Sequence, residues 1–259
     1  MADLEEVLGV LRALAPEALA LDGDPVGLLI APPSTRAIKS IGVCLDASTA
    51  AVAKAVEIGV DLVVSHHPLI YHPIKRLTPE TDGVSASVVA LVKAEIGLFA
   101  MHTNWDAAPG GINDTLAREL GLPEPRPLGS TGPLSLPRIG NLPVPRPLGE
   151  FCRFVAEILG CAGPSALRVA DVDAGRMVSR VAVCGGAGAF LMDDVISSGA
   201  DAFVTADVRH HEFVEASVRG FALIDAGHGA TERPGMRELA LILPERLAGV
   251  DVRWLEGED

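Results

Sequence analysis

Apolar side chains recur along this chain with two periods, one helical and one strand-like, and their alternation predicts a mixed α/β protein. Leu4, Val7, Leu8, Leu11 and Leu14 share one helical face, with Asp3 placed as N-cap and Glu6 three residues on, so a helix is expected over 3–15. A turn at Asp22-Gly23-Asp24-Pro25 precedes a strand over 26–30. The next stretch is a β-α-β unit: strand 41–46, helix 49–58 closed by Gly59, strand 61–65. A second such unit follows at 181–184, 190–198 closed by Gly199, and 201–205. Laid over each other at an offset of 140, the two units match Val43 with Val183, Cys44 with Cys184, Gly59 with Gly199 and Asp61 with Asp201, without a gap. A weak internal duplication is the simplest account. Each half continues with a helix (84–94 and 212–218) and a strand (96–101 and 221–225) that ends at or near a histidine, His102 or His228. Segment 123–149 is dense in Pro and Gly and reads as a linker and domain boundary with one short strand near Ile139. A helix over 148–159, a strand over 167–170, a helix over 237–247 and a strand over 250–255 complete the expected elements.

Composition narrows the function classes. Of 259 residues, 49% are hydrophobic, enough for a substantial core, yet no apolar run is long enough to span a bilayer and no signal-peptide pattern opens the chain. A soluble, cytoplasmic protein with no membrane partner is expected. A net charge of −13 argues against duplex nucleic acid as partner and suits cation binding. Cys44, Cys152, Cys161 and Cys184 lack C-x-x-C spacing and read as small hydrophobes.

The chemistry concentrates at strand ends. Ser65-His66-His67-Pro68 places two imidazoles at the end of an apolar run; successive side chains leave a strand on opposite faces, so the pair serves two ions side by side better than it chelates one. Hydrogen-bonded or solvated imidazoles are the plain alternative for an isolated pair. Two further motifs add weight: His102 is followed four residues later by Asp106, and His228 by Glu232. Pro-Gly closely follows each acid, which places each in a turn ahead of a helix, not on one helical face with its histidine. Four imidazoles and two carboxylates give each of two divalent metal ions a mixed N/O shell. Two ions about 3.5–4 Å apart acidify a shared water into a nucleophile, which is hydrolase chemistry. Zn, Fe, Mn, Co and Ni all suit a set without thiolate. His72 and His210 match no motif and read as solvated. Asp46 reads as a helix cap. Lys75, Arg76, Arg209 and Arg233 read equally as solvated cations or as contacts for a phosphorylated substrate. Gly185-Gly186-Ala187-Gly188 lacks dinucleotide-binding spacing and reads as a tight turn.

Three of these segments resemble the motifs of the Nif-three-like family (GTP cyclohydrolase I type 2 homologues): Ser65-His66-His67-Pro68, His102-Thr103-Asn104-Trp105-Asp106, and Asp225-Ala226-Gly227-His228-Gly229-Ala230-Thr231-Glu232. Asp24-Pro25-Val26-Gly27-Leu28 and Cys184-Gly185-Gly186-Ala187-Gly188 extend the likeness over nearly the whole chain. The resemblance implies two related α/β domains with mixed sheets, a dinuclear metal site at the cleft between them ligated by His66, His67, His102, Asp106, His228 and Glu232, and a ring-shaped homohexamer. It also implies a metal-binding domain built from both chain ends, 1–125 plus 222–259, around an inserted α/β domain, 126–221. The implied activity is metal-dependent hydrolysis of a nucleotide or phosphorylated small molecule by a metal-activated water, with His211 and Asp207 as candidates for moving protons. A metal-handling or regulatory assembly without turnover would keep the same ligands. The chain departs from the family pattern at Ala206, at Glu212 and at Tyr71, none of them an expected ligand.

Overall fold

The computed structural model describes residues 2–33, 37–161 and 167–255. In chain order the elements are α1 (Leu4–Leu14), β1 (Gly27–Ile30), β2 (Ser40–Asp46), α2 (Thr49–Ile58), β3 (Leu62–His67), α3 (Gly83–Lys93), β4 (Gly97–Ala100), α4 (Thr103–Ala107) and α5 (Ile112–Glu119). They continue with β5 (Arg126–Pro127), β6 (Arg138–Pro147), α6 (Leu148–Ile158), β7 (Arg168–Val169), β8 (Met177–Val183), α7 (Met192–Ser197), β9 (Ala202–Thr205), α8 (His210–Val218), β10 (Ala222–Asp225), α9 (His228–Arg246) and β11 (Asp251–Trp254). The protein is mixed α/β with two mixed sheets.

One compact unit comprises Met1–Ala108 and Met236–Asp259. Its sheet has the order β1-β4-β3-β2-β11, parallel except for the edge strand β1. Val52, Ala55, Val63, Leu91, Ile96 and Leu98 form the core under α2 and α3. Capping follows the sequence: Asp3 accepts the Glu6 amide at 2.8 Å, and Ser48, not Asp46, caps α2. The cap expected at Asp46 is thereby corrected: Asp46 is still the last residue of β2, two positions too early to reach the first helical amides.

The other unit comprises Pro109–Gly235, with sheet order β5-β6-β8-β9-β10-β7. Leu116, Phe151, Val155, Val181, Val204 and Ile224 lie in its core. The units divide at 108/109 and 235/236, whereas the proline-rich segment and the family pattern pointed to 125/126 and 221/222. The reason is pairing: β10 bonds in parallel to β9, and α5 packs into the core of this sheet. Within the expected linker, the short strand foreseen near Ile139 is β6, ten residues long and placed between β5 and β8. It accommodates Pro143 and Pro145 because regular pairing with β8 stops at Asn141 and resumes only at Arg146, so no ladder hydrogen bond is asked of a missing N–H.

The 140-residue offset holds in three dimensions. Ile41 pairs with Leu62 and Val181 with Ala202; Val43 pairs with Val64 and Val183 with Val204. The Asp61 carboxylate accepts the Lys39 and Ser40 amides at 2.7 and 3.0 Å, and that of Asp201 accepts those of Ser179 and Arg180 at 2.9 and 2.8 Å. Each aspartate thus ties the entry of its unit's first inner strand to the start of the next. Alanine at Asp61 leaves two amides unanswered in a buried position and is expected to cost about 2 kcal/mol. At Asp201, which is more open to water, the loss is smaller. Urea denaturation of both variants checks this: negligible losses would count against the shared role, and equal losses against the effect of burial.

Candidate metal centre

Three histidines converge in the first unit. β3 ends with His66 and His67, and β4 runs parallel beside it and delivers His102, which caps α4. Each offers one ring nitrogen, and the three nitrogens lie within 4.8 Å of one another. His66 is wholly buried, and its Nε2 is 3.7 Å from a carboxylate oxygen of Asp106. Asp106 lies within α4, four residues beyond His102.

The second unit holds His228 and Glu232. Here the expectation of a turn before a helix is corrected: α9 starts at His228 and runs through Pro234 and Gly235, so the two side chains stand one helical turn apart with Nε2 and Oε2 at 3.1 Å. The imino nitrogen of Pro234 costs the helix one hydrogen bond near its start. Gly235 is needed where it stands, because a Cβ would come within 2.6 Å of the Ile112 backbone.

In all four histidines Nδ1 faces an oxygen. His66 Nδ1 lies 2.8 Å from the Met101 carbonyl, His67 Nδ1 2.8 Å from Asp46, His102 Nδ1 2.7 Å from Asp24, and His228 Nδ1 2.7 Å from Asp207. An Nδ1–H donated to such an acceptor leaves the Nε2 lone pair as the coordinating position, the usual arrangement around metal-bound imidazoles. In the first unit three Nε2 atoms and the Asp106 carboxylate, and in the second the His228 Nε2 and the Glu232 carboxylate, are donor types that suit a borderline divalent cation.

Asp24 also accepts the Thr103 amide at 3.1 Å and the Thr103 hydroxyl, so it orients His102 and the start of α4 together. Burial alone would raise its carboxyl; the hydrogen bonds from His102 and Thr103 outweigh this and hold it below the usual carboxylate range. His228 is pushed up to about 9, first by its hydrogen bond to Glu232, against burial and with help from Asp207. A proton at Nε2 occupies the place where a cation would bind.

The remaining expected residues separate. Asp207 is the His228 partner and has a left-handed backbone (φ 53°), a conformation that aspartate tolerates better than most residues. His211 is exposed in the first turn of α8. Arg209 is engaged by Glu212, which accepts its guanidinium at 2.6 Å and its amide at 2.7 Å. The glycine turn after β8 meets the pair in its own unit: Gly186 (φ 62°) donates its amide to Thr231 Oγ1 at 3.0 Å, and a Cβ there would overlap the Glu232 carboxylate. Asp24 and Gly186 stood in the sequence only as members of turns and of family-like segments, with no role at the site assigned to them. The first β-α-β unit did hold a signal for Asp46, since paired parallel strands end side by side and Asp46 stands in register with His67.

Each of the two α/β units presents histidines and carboxylates at or beyond its strand ends, groups of a kind that could hold a metal ion. The chain belongs to the Duf34/NIF3 (NGG1p interacting factor 3) family, whose model matches residues 2–258. It is similar to the GTP cyclohydrolase 1 type 2 homolog of Streptomyces coelicolor, 38% identical over 240 residues that cover 90% of this chain and 83% of that one. The protein of the same description from Nostoc sp. is 36% identical over 215 residues, with 83% and 79% covered. In fold the chain is similar to the Bacillus cereus protein related to NIF3, with a TM-score of 0.88 at 20% identity over 98% of this chain and 96% of that one. Among the described residues no helix is long and apolar enough to cross a membrane.

Proposed function

We propose that His66, His67, His102 and Asp106 of one unit and His228 and Glu232 of the other form a single dinuclear metal centre at the cleft between them. We propose further that the protein is a cytoplasmic homohexamer that hydrolyses a nucleotide or another phosphorylated small molecule. The observation that carries this reading is the shared pose of the four histidines, each with Nδ1 on an oxygen and Nε2 left to coordinate. Two divalent ions would supply Lewis acidity towards water and substrate oxygens. Asp24, Asp46 and Asp207 hold the Nδ1 protons and so fix the tautomers. His211, exposed on α8, is positioned to exchange protons with solvent. The name shared by the relatives favours a nucleotide as substrate.

Complete burial of His66 favours a second reading, a closed site that stores or hands on metal without turnover. A screen of metal-loaded protein against GTP, phosphomonoesters and phosphodiesters separates the two, with Glu232→Ala as control. Turnover that disappears in the control is the expected result. Bound metal with no turnover on any substrate class would leave the metal-handling reading, and absence of stoichiometric metal would sink both. Native mass spectrometry of the same sample is expected to show six copies.

A further inference from the structure

We infer that the face of the second sheet formed by β5, β6 and β8 carries a binding site for a small oxyanion, separate from the proposed metal centre. A cavity of about 350 Å³ opens there, lined by Glu124, Arg126, Ile139, Gly140, Asn141 and Arg180, among others. That volume lies in the range of small-ligand pockets. The register explains how both arginines reach it. Arg126 on β5 stands opposite Ile139 on β6, and Asn141 on β6 stands opposite Arg180 on β8, in antiparallel pairs. Opposed residues share a sheet face, and so do residues two apart on one strand, so Arg126, Ile139, Asn141 and Arg180 all rise from the same side. The two arginines are two strand spacings and two residues apart, about 12 Å, and two side chains of arginine's length can converge on one small ligand between them.

The charges point to an anion. This chain has 34 acidic residues against 21 Lys and Arg, and other arginines of the same unit take acidic partners: Arg138 with Asp114, Arg168 with Asp225, Arg209 with Glu212 and Arg219 with Asp193. Arg126 and Arg180 take none among the described residues, although Glu124 lines the same cavity. Arg180 Nε is buried with no acceptor, a donor that a ligand oxygen would satisfy. Two guanidinium forks and the Asn141 amide suit a phosphate or carboxylate group, and Glu124 suits a hydroxyl or amine on the same molecule.

Calorimetric titration of the full chain, as purified, tests the site, with inorganic phosphate in one arm and malonate in the other at low ionic strength. Saturable binding of at least one of them is expected, weakened about tenfold or more in Arg180→Gln and in Arg126→Gln. Binding of phosphate alone identifies a phosphoryl ligand, and of malonate alone a carboxylate. Arg126 is exposed at a strand edge, so its variant keeps the test valid if Arg180→Gln fails to fold. Absence of saturable heat with either anion, or affinity unchanged in a folded variant, overturns the inference; anion held at a metal centre would be indifferent to both substitutions.

Discussion

Gly186→Ala is expected to destabilise the protein by about 2–5 kcal/mol and to lower metal retention at the proposed centre, although it adds only one methyl group. Two costs combine. The backbone at Gly186 has φ 62°, where a Cβ costs roughly 1–2 kcal/mol. The methyl would also overlap the Glu232 carboxylate and stand 3.2 Å from His228 Cε1 and Nε2. Neither side can yield readily. Glu232 is buried, with 3% of its side chain exposed. The turn is pinned by the Gly186 amide on Thr231 and by its carbonyl, which accepts the Ala206 amide at 2.8 Å and the Thr205 hydroxyl at 2.9 Å. Gly199→Ala is the control: its φ is 80°, but nothing lies within 4 Å of a Cβ, so only the backbone cost applies. Thermal melts should separate the two variants by several degrees. Metal content should fall in Gly186→Ala alone, and equal melting temperatures with full metal in both would refute the steric argument.

The repeated β-α-β units were legible because their signals are local: β-branched runs, a glycine closing each helix, and an aspartate that ties strand entries. Val43 and Val183, or Asp61 and Asp201, do the same work in the two sheets, so a simple offset finds them. The site is where the copies part. At the same offset His67 falls on Asp207 and Asp46 on Gly186, so the His67–Asp46 pair has no second copy. Asp207 turns instead to His228. Histidines and acids at strand ends stood out as candidate ligands from residue type and spacing. Their orienting partners could not all be read, since Asp24 precedes His102 by 78 residues and meets it only in the folded chain. Proline misled twice. In β6 it lies where pairing with β8 lapses, and in α9 it interrupts a helix already under way, so neither proline marks the break that its local chemistry suggests.

The three aspartates that face histidine Nδ1 atoms should differ sharply in their effect on metal affinity, with Asp24 dominant. Removing such a partner typically costs 10- to 100-fold in affinity. Asp24→Ala is expected near about 100-fold, and Asp46→Ala and Asp207→Ala nearer about 10-fold or below. Exposure is the reason: 4% of the Asp24 side chain is open to solvent, against 59% for Asp46 and 55% for Asp207. Water can accept the Nδ1 proton in place of an exposed carboxylate, but it cannot readily enter the buried contact at His102. Asp24 also takes the amide and hydroxyl of Thr103, whose own Oγ1 accepts the Leu21 amide at 2.9 Å. Its removal therefore loosens the start of α4, which carries Asp106, along with the His102 ring. Asp24→Asn keeps an acceptor oxygen and loses the charge, so it should fall between wild type and Asp24→Ala. Competition titrations against a chromophoric chelator read all four variants on one scale. If Asp46→Ala or Asp207→Ala proved as damaging as Asp24→Ala, burial would not be what ranks these contacts.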